Sequence, residues 1–220
     1  MDVNSLVQTV AIYALPVLFA ITLHEAAHGY VARHFGDMTA HAQGRISLNP
    51  IRHIDLVGTI IVPLVILLLT AKLVGGGILF GWAKPVPVNY SALRKPRQHM
   101  ALVAAAGPVA NLVMALIWAI LLKISVLVPS GGYSDPLALM AQAGILVNLI
   151  FMFLNLLPIL PLDGGRIVAS LLPSRAAWRY SKLEPFGLPL LVLLLVTNVL
   201  GFLLEPLVGA SGALIRALVF

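Results

Sequence analysis

The sequence predicts an all-α integral membrane protein, a multi-span helical bundle with one short extended, re-entrant element. Of its 220 residues, 60% are hydrophobic and only 10% charged, a balance that fits a polytopic membrane protein far better than a soluble domain. Five apolar stretches reach the ~18 residues that can be read as a span. The basic residues sit at the ends of these stretches, where a membrane surface accounts for them.

The first apolar stretch runs from Leu6 to Val31 and the second from Leu56 to near Val74. The third runs from near Met100 to Val128, the fourth from Leu137 to Leu160, and the last from Pro185 to Leu204, with an apolar tail to Phe220 expected in the interface. Between them, "GRISLNPIRHID", "PSGGYSDP" and "PLDGGRIVASLLPSRAAWRYSKLEP" carry the glycine, proline and polar residues of turns. The segment "GGGILFGWAKPVPVN" mixes glycine, proline and β-branched residues and reads as extended chain. The whole chain, 1–220, reads as one membrane-embedded domain, with its core in 6–166 and a C-terminal span and tail in 185–220. The amino terminus has no basic run ahead of its apolar stretch, so the first stretch is expected to remain as a helix.

Loop charge sets the orientation. Arg33, Arg45 and Arg52 follow the first stretch, Lys84, Arg94, Lys95 and Arg97 precede the third, and Arg166, Arg175, Arg179 and Lys182 follow the fourth. These loops are expected in the cytoplasm, with the amino terminus outside. A complete crossing by the second stretch would place Lys84 to Arg97 outside. The segment from Leu56 to Asn89 is therefore expected to enter the membrane and return to the same side. Non-helical chain at that depth must be buried in protein or line a wet cavity.

The net charge of +6 could suggest nucleic acid, but its placement favours a lipid bilayer as partner and no nucleic acid. The chain has no cysteine, which excludes disulfides and thiolate ligands. The sequence sets no oligomeric state.

The chemistry lies in "ITLHEAAHGYVARHFGD", inside the first stretch. An ionisable residue within a span is costly and points to function. His24 and His28, four residues apart, share one helix face and can grip a single metal ion. Glu25 beside them completes the HExxH arrangement of zinc hydrolases, in which the metal acidifies a water and the glutamate handles its proton. If Arg33 marks the cytoplasmic surface, His28 and His24 lie about 7 and 13 Å deeper. A catalytic zinc takes three protein ligands. Asp163, in "NLLPILPLDGG", ends the fourth stretch at a kink set by Pro158 and Pro161. It competes for the third place with His41, His53 and Asp55 on the first basic loop.

With "HEAAH" in a first membrane helix and "NLLPILPLDGG" far downstream, the chain resembles the site-2 protease family of intramembrane zinc metalloproteases. "RISLNPIRHID", "GWAKPVPVN" and "AAGPVAN" resemble its compact multi-pass prokaryotic branch, over roughly Val17 to Arg166. The resemblance implies one zinc per chain on His24, His28 and Asp163, with Glu25 as catalytic acid/base. It also implies that Asn155 contacts substrate or stabilises the site. Asn111, Gly81 and Trp82 fall in family-like segments and are candidate substrate contacts. The implied partner is a membrane protein with a locally unwound transmembrane segment, cleaved near the cytoplasmic side of a prokaryotic cell membrane. A zinc transporter would spread ionisable groups over several spans, and a non-proteolytic scaffold would not need Glu25. Asn148, one helix face with Asn155, reads as an interhelical hydrogen-bonding residue.

Overall fold

The computed structural model describes residues 3–62, 83–127 and 134–220. These fold as helices joined by short turns, with no strand among the described residues. Helix α1 (Val3–His34) carries the HExxH motif. One turn, α2 (Thr39–Ala42), follows. The long helices α3 (Pro96–Leu127) and α4 (Ser134–Asn155) complete a central bundle with α1. Two short helices, α5 (Asp163–Leu171) and α6 (Ser174–Ser181), lead to α7 (Glu184–Val196) and α8 (Val199–Val219). Four of these, α1, α3, α4 and α8, are long and apolar enough to cross a membrane, which makes this an integral membrane protein.

Small residues set the spacing of the bundle. Ala20, His24, His28 and Ala32 recur every fourth residue of α1, all buried, so they form one stripe facing α3 and α4. Ala115, Trp118, Ala119 and Leu122 of α3 meet Ala141, Ile145, Leu149 and Met152 of α4, and Ile215 of α8 closes this cluster. Gly144 lies flat against the Trp118 indole, where a Cβ would overlap the ring. Close approach through small residues is what holds helices together where lipid removes the hydrophobic drive.

The basic loops meet at one end. Arg94 N donates to Phe35 O over 3.0 Å, and Phe35 stacks on His99 at 4.0 Å between ring centroids. Arg97 donates to the Leu172 carbonyl at the end of α5. The end of α1 and the start of α3 therefore share one end of the bundle, as the charge argument requires. The chain between them leaves from that end and returns to it. At the other end, Lys123 Nζ donates to Val219 O over 2.5 Å.

The connecting segment opens with a 3-10 turn at Pro50–His53, capped by Asn49, and a π-helical turn at Leu56–Ile61, capped by Asp55. The rest of the expected second span, and Gly81 and Trp82, lie within 63–82, outside the described residues. Residues 83–89 are extended, as expected, but pair with no strand among the described residues.

Two expected boundaries move. The fourth apolar stretch was expected to run to Leu160, but α4 ends at Asn155. Pro158 has no N–H to continue the ladder and disfavours a helical Leu157. Asp163 therefore opens α5 instead of closing α4. The last span was expected over Pro185 to Leu204 with an interfacial tail. Instead the chain breaks at Asn198, in the left-handed region with φ 59°, a conformation asparagine tolerates better than most residues. The supposed tail is the second half of a 21-residue helix, α8. The start of α7 rests on the turn before Asp163: Gly187 lies so close to Leu160 O that any Cβ would overlap it.

Candidate metal centre

The stripe on α1 projects His24 and His28 towards α3 and the start of α5. Their Nε2 atoms are 3.1 Å apart. Asp163 Oδ2 lies 3.1 Å from the first and 3.4 Å from the second. All three residues are buried, at 7%, 8% and 8% exposure. His41, His53 and Asp55 are not in this cluster. The His53 ring nitrogen Nε2 meets Ser47 O at 2.8 Å, and Asp55 accepts from Gly58 N.

The protons on the two imidazoles can be placed. His28 Nδ1 lies 2.7 Å from Val103 O, a carbonyl that only accepts. His24 Nδ1 lies 2.6 Å from Asn111 Oδ1. That oxygen is correctly identified, because Asn111 Nδ2 faces Ala20 O at 3.2 Å and Asn148 Oδ1 at 3.0 Å. Both Nδ1 atoms thus donate, and in the neutral rings both Nε2 atoms carry lone pairs. Asp163 Oδ2 is buried with no hydrogen-bond donor among the described residues.

Three electron-rich atoms thus face one small space. The edge of a tetrahedral shell with ligands at zinc–nitrogen distances is about 3.3 Å, and the three observed separations bracket that value. The donor set, two neutral imidazoles and a carboxylate, suits zinc and leaves one position open. Each imidazole is also oriented through its other nitrogen, as metal-bound histidines are.

Backbone shape completes the cradle. A Cβ on Gly107 of α3 would lie 2.5 Å from His24 Nε2 and 2.6 Å from His28 Nε2. Pro108 supplies no N–H to Ala104 O, one residue along from Val103. On the other side, Gly164 and Gly165 press against the backbone of Leu156 to Leu160, where Cβ atoms would overlap. Only glycine lets the end of α4 and the start of α5 approach closely enough to aim Asp163 at α1.

Glu25 is half-buried beside the cluster, and its Oε2 accepts from Val86 N over 2.8 Å. Asn155, at the end of α4, donates to Phe151 O over 3.0 Å and makes no hydrogen bond to the three converging residues. Asn111, read from sequence as a substrate contact, is fully buried behind His24. There its Oδ1 accepts from His24 Nδ1 and orients the ring. Gly107, Val103 and Val86 were not singled out in the sequence. The signal for the first was a glycine–proline step inside a long apolar helix.

The architecture and the cluster define a helical membrane protein with a buried group of residues that could hold a metal ion. The profile of peptidase family M50 matches residues 130–197. "Putative zinc metalloprotease YwhC" of Bacillus subtilis is 39% identical over 203 residues, covering 90% of this chain and 85% of that protein. "Putative zinc metalloprotease Rip2" of Mycolicibacterium smegmatis is 28% identical over 188 residues, covering 83% of this chain and 66% of that protein. No solved structure matches the chain. The chain belongs to peptidase family M50 and is a metalloprotease by class.

Proposed function

We propose that this protein is a zinc-dependent intramembrane endopeptidase that cleaves a peptide bond in or near a transmembrane segment of another membrane protein. The observation that carries the reading is the convergence of two imidazole Nε2 atoms and a buried carboxylate oxygen without a hydrogen-bond donor among the described residues, beside Glu25. His24, His28 and Asp163 hold the ion. Zinc in such a site polarises a carbonyl and brings a water's pKa near 7. Glu25 takes the proton from that water and delivers it to the leaving amine. With Oε2 held by Val86 N, its Oε1 is the oxygen left to do so. Asn155 is assigned to the substrate backbone or the developing oxyanion, which requires its amide to leave Phe151 O.

A transmembrane helix hides its carbonyls in its own hydrogen bonds, so the substrate must unwind at the cleavage point. The cluster lies on α1 within about three turns of the basic end of that helix, which fits cleavage near the cytoplasmic face of a prokaryotic cell membrane. Residues 84–89 are a poor edge for strand pairing. Pro85 and Pro87 have no N–H, and the amides of Lys84, Val86 and Asn89 are already bonded within the protein.

The test is reconstitution in bilayers with single-pass substrates that carry helix breakers. The wild type should bind one zinc per chain and cleave. Glu25→Gln should keep the zinc and lose turnover by about 10²- to 10⁴-fold, and Asp163→Ala should lose the metal. Full turnover in Glu25→Gln, or unaltered zinc in Asp163→Ala, would sink the reading.

A further inference from the structure

Asp37 is a charged residue with 0% exposure that the proposed chemistry does not use. Both its oxygens accept from backbone: Oδ1 from Thr39 N at 2.9 Å and Oδ2 from Asn89 N at 2.6 Å. The chain reverses at Gly36, with φ +108°, so that Asp37 N bonds back to Ala32 O at 3.0 Å. This brings Asp37 level with Ala32, seven residues beyond Glu25 and about 10 Å along the helix. The three residues from Val86 to Asn89 cover about 10 Å when extended. Segment 84–89 therefore lies along α1 as a strap, held to Glu25 at Val86 and to Asp37 at Asn89.

The strap is stiff. Pro85 and Pro87 fix their own φ and hold Lys84 and Val86 extended. Lys84 N donates to His53 O over 2.9 Å. Arg45 Nη2 donates to Lys84 O at 2.8 Å and Pro85 O at 3.3 Å. The strap also rests tightly on α1, since a Cβ on Gly29 would meet Val86 Cγ1 at 3.3 Å and Ile46 Cγ1 at 2.9 Å. With so few free torsions, a pin at Asn89 sets the position of the Val86 amide. A glutamate has several side-chain torsions of its own, and a fixed backbone donor selects one arrangement of them.

We infer that Asp37 is a positioning residue for Glu25, acting through the 84–89 strap and its Val86 amide. The inference rests on the reading of Glu25 as the proton carrier. Asp37→Asn leaves one of the two backbone donors unpaired, and Val86→Pro removes the amide directly. In reconstituted enzyme each variant should keep one zinc per chain and an unchanged KM. Each should lose kcat by about 10- to 100-fold, the scale of a small misplacement of a reacting group. Because the two act in series, the double variant should be no slower than Val86→Pro alone. Deuterium uptake by the peptide spanning 83–92 should rise in Asp37→Asn, and this can be measured whether or not a substrate is cleaved. A wild type that cleaves nothing would count against the proposed function, while the exchange measurement still judges the strap. Unchanged exchange, losses that multiply in the double variant, or loss of zinc in Asp37→Asn would overturn the inference.

Discussion

The two arms of the candidate metal site are built by different means. The histidine arm sits in mid-helix, and side chains and carbonyls from α3 aim it. Val103 O fixes one ring, Asn111 Oδ1 the other, and Asn148 holds Asn111. The aspartate arm begins a nine-residue helix, and its Oδ2, the oxygen facing the imidazoles, has no hydrogen-bond donor among the described residues. Backbone contact at Gly164 and Gly165 places it instead. A site of this kind can lose one arm through a polar deletion and the other through an added methyl group.

Variants can break that comparison in order of expected effect. Asp163→Ala should reduce zinc binding and turnover to background, measured by metal analysis and cleavage of a reconstituted substrate. Gly107→Ala puts a methyl group into the space shared by both histidine nitrogens. It should also abolish zinc binding and cost about 1–3 kcal/mol of stability, read by thermal unfolding in detergent. Gly164→Ala should leave the histidine arm intact but misdirect Asp163, so zinc binds weakly while the α1–α3 hydrogen bonds persist in NMR spectra of labelled histidine. Asn111→Ala should weaken zinc by about 10- to 100-fold, read by competition with a chelator. Asn148→Ala should have the smallest effect, because Asn111 Nδ2 keeps Ala20 O. If Asn111→Ala bound zinc as tightly as the wild type, side-chain support would not be what aims the histidine arm.

Much of this was legible in the sequence, for physical reasons. A polar trio inside an apolar run must be compensated, so "HEAAH" identified its helix and face directly. "LDGG" suggested a sharp turn and a carboxylate. The residues themselves left open which acid or histidine of several completed the set, because that depends on three-dimensional convergence from distant segments; only the family resemblance pointed to Asp163. The place of Asn111 behind His24 was hidden for the same reason: an exposed and a buried asparagine look identical in one dimension. The break at Asn198 was hidden because the hydrophobic run continues on both sides of it. Loop charge, by contrast, placed the end of α1 and the start of α3 together, since basic residues resist translocation whatever path the chain takes between them.

The contact between Gly187 and the Leu160 carbonyl ties α7 to the platform from which Asp163 projects. No swing of that helix leaves the platform untouched. Any displacement of α7 would therefore shift the turn before Asp163 and move its carboxylate relative to the two imidazoles.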